Sequence, residues 1–91
     1  MMNVDVYDTH VRTVEGNLLH FDIMLPSDEG NRAIYYANQW LLSIGRIPEK
    51  ITRENCRYRH TETATPEIRK RIREHGYFVI QMEGCPAYYY Y

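Results

Sequence analysis

Two alternating segments, separated by a single glycine turn, constrain this chain more than any other feature. Residues 3–11 (Asn3-Val4-Asp5-Val6-Tyr7-Asp8-Thr9-His10-Val11) are rich in β-branched and aromatic types and alternate in character, which predicts a strand. Residues 18–25 do the same, with Leu19, Phe21, Ile23 and Leu25 on one side. Glu15-Gly16 lies between them, and glycine supplies the positive φ that a tight hairpin turn requires. A tight turn would oppose Val6 to Leu25 and His10 to Phe21 on the core side. Thr9 would then face Asp22, and Val11 would face His20, on the other side.

Downstream of the hairpin the period changes. Pro26-Ser27-Asp28-Glu29 combines a capping hydroxyl with acids suited to a helix N-terminus. Ala33, Ile34, Ala37, Trp40, Leu41 and Ile44 then recur at helical spacing, and Gly45 marks the stop. Residues 46–53, with Pro48, predict a loop. Residues 54–62 alternate again, with Cys56, Tyr58 and His60 on one face and Arg57 and Arg59 on the other. Thr65-Pro66 opens a second helix with Ile68, Ile72 and His75 inward, and Gly76 closes it. A last strand runs from Tyr77 to Glu83 with Phe78, Ile80 and Met82 inward. The expected architecture is α+β: ββαβαβ, a four-stranded mixed sheet with two helices packed on one face. It forms a single domain over residues 1–85, followed by a Tyr-rich tail, 86–91. That tail is expected to order only against a partner surface, such as another copy of the chain or a different protein.

Composition narrows the function classes. Net charge is −1, which argues against a dedicated nucleic-acid binder. The charge is nevertheless divided: residues 1–31 sum to −5 and residues 32–75 to +5. Such a split can steer a charged partner, or it can bind two parts of one sheet to each other. The chain has no apolar run of membrane-spanning length, and its start lacks the basic and apolar regions of a signal peptide. Two cysteines do not make a disulfide framework, so a reducing cytoplasm is the expected setting.

Val6-Tyr7-Asp8-Thr9, His20-Phe21-Asp22, Cys56-Arg57-Tyr58-Arg59-His60, Gly76-Tyr77 and Glu83-Gly84-Cys85 stand in one order along nearly the whole chain. In that order the chain resembles the small bacterial DUF2024 family of uncharacterised proteins. The resemblance implies a compact ββαβαβ fold and no established activity. It also implies a Cys-x-x-Cys-His pattern at the third strand, where this chain carries Arg59 in place of the second cysteine.

Three chemistries compete with plainer structural readings. Cys56, His60, Cys85 and His20 are zinc-competent side chains. Cys56 and His60, however, are four residues apart on a strand, ~13 Å at ~3.3 Å per residue, too far to share one ion. Cys56 reads more simply as a buried free thiol. His20 and Asp22 share a strand face and are the candidate acid–base pair, against the alternative of a solvated sheet face. Arg57, Arg59, Arg69 and Arg73, with Tyr7 and Tyr77, form the candidate binding surface, diluted by Glu54, Glu62, Glu67 and Glu74. Haem attachment is excluded by Arg59, and no glycine-rich phosphate loop is present.

No cofactor is expected. The favoured reading is a non-catalytic binding or regulatory module. The alternative is a small metal- or thiol-linked enzyme using His20, Asp22, Cys56, His60 and Cys85. Oligonucleotide binding should be weak and independent of sequence, and should fall steeply between low and physiological salt. A sequence-preferring complex that survives physiological salt in a fluorescence-anisotropy titration would overturn that expectation.

Overall fold

The structure is a computed structural model that describes residues 2–84. Cys85 and the Tyr88–Tyr91 tail lie outside the described residues, as do the expectations attached to them. The elements follow the predicted order: β1 (Asn3–Arg12), β2 (Leu18–Pro26), α1 (Ala33–Ser43), β3 (Cys56–Thr63), α2 (Pro66–His75) and β4 (Phe78–Gln81). A single 3-10 turn, Gly30–Arg32, leads into α1. Among the described residues, no helix is long and apolar enough to cross a membrane.

The four strands stand in the order β3-β1-β2-β4, and every neighbouring pair is antiparallel. The sheet is therefore wholly antiparallel, not mixed as expected from sequence. The hairpin occupies the centre, so β2 and β3, which do run parallel, are held apart by β1 and never pair.

The register is also displaced by one residue from the tight-turn expectation. Thr13 and Asn17 close the hairpin through Thr13 N–H to the Asn17 carbonyl at 2.9 Å, and Gly16 donates back to Thr13 at 2.9 Å. Three residues therefore form the loop, ending on Gly16 at φ 91°, a left-handed position suited to glycine. Val6 consequently faces Met24, Thr9 faces Phe21 and His10 faces His20. A one-residue slip moves every partner to the other side of the sheet.

Contrary to expectation, the helices do not share one face of the sheet. Ala33, Tyr36, Ala37, Trp40, Leu41 and Ile44 of α1 and its C-terminus pack with Leu19, Phe21, Ile23 and Leu25, the odd-numbered positions of β2. Ile72 and Ile68 of α2 pack instead with Val4, Val6, Met24 and Phe78. Because strand side chains alternate, Met24 and its neighbours Ile23 and Leu25 lie on opposite faces. The two helices therefore cover opposite faces of the sheet. Their placement follows from topology: α1 links β2 to β3 over one face, and α2 links the two edge strands over the other.

Several local expectations also change. Val79 of β4, buried at 2% exposure, belongs to the α1 core, whereas Ile80 is 37% exposed. His75 is exposed rather than inward. Ser27 does not cap α1; its hydroxyl donates to the Asn3 carbonyl at 3.0 Å. The second helix matches its reading closely: the Thr65 hydroxyl accepts from Ile68 N–H at 3.2 Å, and Gly76 ends the helix at φ 89°.

Ile72→Ala should destabilise the fold by about 2–3 kcal/mol, the low end for loss of a buried aliphatic side chain. The emission maximum of Trp40, the sole tryptophan, should stay unchanged in the folded variant, because Ile72 sits across the sheet from it. A shifted maximum would place both residues in one core.

Candidate functional site

The face under α2 divides in two along the strands. At one end, Val4 and Val6 of β1 and Met24 of β2 are buried with Phe78 beneath Ile68 and Ile72. At the other end, the same face carries Asp8 and His10 of β1 opposite Asp22 and His20 of β2. Arg57 of β3 pairs with Asp8 on one flank, and Ile80 of β4 pairs with Asp22 on the other. The polar half begins where the hydrophobic contacts of α2 stop.

Backbone geometry brings the opposed side chains close. His10 N–H points outward to the Asn55 carbonyl, and His20 N–H points outward to Glu83, each at 2.8 Å. His10–His20 is therefore a non-hydrogen-bonded pair, the closer of the two antiparallel pair types. The imidazoles stack, with centroids 3.9 Å apart and planes 14° from parallel. Asp8–Asp22, two residues along, is a pair of the same type.

Both imidazoles aim Nε2 at the one Asp8 carboxylate: His20 to Oδ1 at 2.6 Å and His10 to Oδ2 at 3.3 Å. His20 is 23% exposed and His10 62%, so one ring is anchored and the other is open to solvent. Burial alone would raise the Asp8 pKa, but the hydrogen bond from His20 and the nearby imidazoles outweigh it and hold the carboxyl below its ordinary value.

Asp22 has the opposite balance. Its side chain is 7% exposed, and burial pushes its pKa up; the Arg59 guanidinium pulls against that, while the Asp8 charge adds to it. Arg59 Nη2 donates to Asp22 Oδ2 at 3.1 Å.

Arg59 reaches Asp22 through an irregularity in β3. Tyr58 pairs with Tyr7 and His60 with Val6, leaving Arg59 as the extra residue of a bulge. The bulge also corrects the predicted alternation. Cys56 and Tyr58 stay on the α1 face, with Tyr58 edge-on to Tyr7 at 5.8 Å. His60 joins the arginine face, where it bonds Glu62 at 2.8 Å.

The sequence-predicted residues therefore scatter. His20 and Asp22 share the polar cluster. Cys56 is buried on the other face, its sulfur accepting from the Thr9 hydroxyl at 3.5 Å, and burial pushes its thiol pKa up. Tyr77 stacks on Tyr36 at 4.9 Å beside α1, and Tyr7 is likewise partly buried against that core. Tyr77 lies apart from Arg57 and Arg59, whereas Tyr7 lines a depression together with Arg57 and Tyr58. Arg69 and Arg73 are on α2. Asp8 and His10 are the cluster members that sequence reasoning missed. The spacing Asp8-x-His10 mirrors His20-x-Asp22, a signal that the tight-turn register concealed.

An open-faced α+β sheet, with helices on both sides and one polar patch left uncovered, is the class that this geometry defines. The chain belongs to the family described as Domain of unknown function (DUF2024), which matches residues 2–82. It is also similar to the NMR structure of protein NE1680 from Nitrosomonas europaea. That similarity is 41% identity over 93% of this chain and 100% of the other, with a TM-score of 0.80. No curated protein matches.

Asp22→Asn tests the electrostatics directly. A carboxyl whose folded pKa is raised is penalised in its charged form, fully above the raised value and not at all below the ordinary value of 3.8. The substitution should raise the melting midpoint at pH 7, where the buried carboxyl is charged. The gain should vanish near pH 3. Equal gains at both pH values, measured by circular dichroism, would contradict the assignment.

Proposed function

We propose that this protein is a non-catalytic binding module whose recognition surface is the uncovered half of the α2 face, centred on Asp8, His10, His20 and Asp22. One observation carries the reading: Asp8 and the two imidazoles stay accessible on a face that α2 leaves open, directly opposed as pairs, with Asp22 buried beside them. Opposing like groups costs stability unless something is gained by it. The patch borders a depression of about 550 Å³ lined by Arg12, Leu18, Asn55 and Glu83 together with both histidines.

The enzyme alternative draws less support. Of its proposed residues, His20 and Asp22 belong to the patch, Cys56 is buried on the opposite face, and His60 is engaged with Glu62. A cytoplasmic setting is part of the same proposal and fits the buried free thiol of Cys56.

The test is an amide-shift titration of the metal-free protein with separate panels of small carboxylates, phosphates and amines. At least one class should saturate, with shifts clustered at residues 8–10, 20–22, 57–60 and 80. Saturation that clusters instead at the Tyr7, Ile34 and Tyr58 depression under α1 would relocate the site and sink the proposal.

A further inference from the structure

We infer that Asp8, His10 and His20 form a site for a divalent transition-metal ion of the zinc class. The inference rests on the binding reading above and names a ligand for that surface. Cys56 and His60, the zinc candidates most evident in sequence, are not part of this set.

The three residues each offer one ligand atom, and these atoms all lie within 4.8 Å of one another. A tetrahedral ion with bonds of about 2.0–2.1 Å needs its ligand atoms about 3.3–3.4 Å apart. His10 Nε2 and Asp8 Oδ2 are already 3.3 Å apart. His20 Nε2 lies 2.6 Å from the other carboxylate oxygen, Oδ1, so ligation of one ion through a single oxygen requires the carboxylate and the rings to turn. Asp8 is 33% exposed and His10 62%, so both have room to turn towards the anchored His20 without moving a strand.

Two stacked imidazoles present the same nitrogen, Nε2, to one carboxylate. Without an ion, both rings must donate protons into that carboxylate. With an ion, each Nε2 lone pair and one carboxylate oxygen turn to the metal, and the protons that occupied those positions leave to solvent. Two imidazoles and one carboxylate favour zinc-class ions over calcium or magnesium, which take oxygen-rich shells.

The backbone fixes the site's frame. His10 and His20 come from adjacent central strands in the closest antiparallel pairing, and Asp8 lies two residues from His10 on the same face. Three protein ligands leave a fourth position for water or an exogenous donor. The depression beside the two histidines leaves space for that donor.

Zinc chloride titrated into the full chain at neutral pH, followed by isothermal calorimetry and by histidine ring resonances, tests the inference. One ion per chain is expected, with the His10 and His20 resonances shifting and the melting midpoint rising with zinc concentration. His10→Ala, His20→Ala and Asp8→Asn should each weaken binding by at least the ~10-fold seen when outer-shell partners are lost. His60→Ala and Cys56→Ser should leave it unchanged. His10 is exposed, so its variant reports on binding even if Asp8→Asn or His20→Ala proves poorly folded.

Failure to saturate by ~100 μM zinc, a free energy weaker than about −5.5 kcal/mol, would overturn the metal site. So would one-to-one binding that survives His10→Ala and disappears in Cys56→Ser. If zinc fails while an organic probe still maps to residues 8–10 and 20–22, the metal inference falls and the binding surface stands. Probes that map only beneath α1 remove the surface itself.

Discussion

Everything distinctive about this molecule follows from the register of one hairpin. The pairing of β1 with β2 is set by a three-residue loop that ends on Gly16. That register puts Val6 with Met24 and His10 with His20 on one face, and Thr9 with Phe21 on the other. The slip of a single residue would place His10 opposite Phe21 in the core and separate the two imidazoles. A core that buries Phe21 and Trp40 together, with rings 4.6 Å apart, cannot tolerate that exchange. Burial on the α1 side therefore enforces the geometry of the polar cluster on the α2 side.

The helices then divide the labour of covering the sheet. α1 carries the large side chains, Trp40 and Leu41, and supports the main core. α2 contributes Ile72 and Ile68 over Val4, Val6 and Met24. Most of α2 is charged, which limits its apolar reach and leaves the far half of its face uncovered. The charge division along the chain finds a local expression there. Acidic β1 and β2 meet basic β3, with Asp8 beside Arg57 and Asp22 bonded to Arg59. This favours the reading of the split as mutual attraction within one sheet.

Asp22 illustrates why such a patch is costly. It is buried, faces another carboxylate across the strands, and is compensated by a half-exposed guanidinium. Asp8 is compensated more fully, by two imidazoles. A cation between those rings would serve the same electrostatic purpose as their protons, with greater charge and fixed geometry. Cys56, by contrast, behaves as a small apolar residue with one hydroxyl contact.

The alternation of residues 3–11 and 18–25, the stripe from Ala33 to Ile44, and the Thr65-Pro66 and Gly76 boundaries were legible in the sequence because each depends on local period or local backbone chemistry. Element order and the α+β class followed from them. His20 and Asp22 were recognisable as a same-face pair for the same reason, since two residues apart on a strand is a local relation. Asp8 and His10 were not, because their place beside His20 depends on register, and the register depends on one residue of loop length. The face chosen by each helix was equally hidden: Val4 and Val6 on one side and Val11 on the other are all apolar, so β1 gives no polar side by which to orient it. The bulge at Arg59 completed what local pattern could not supply. By itself the sequence determined which segments become strands and helices. Only the tertiary structure decided which side chains meet, because pairing register, strand order and the choice of face are settled by burial across the whole sheet.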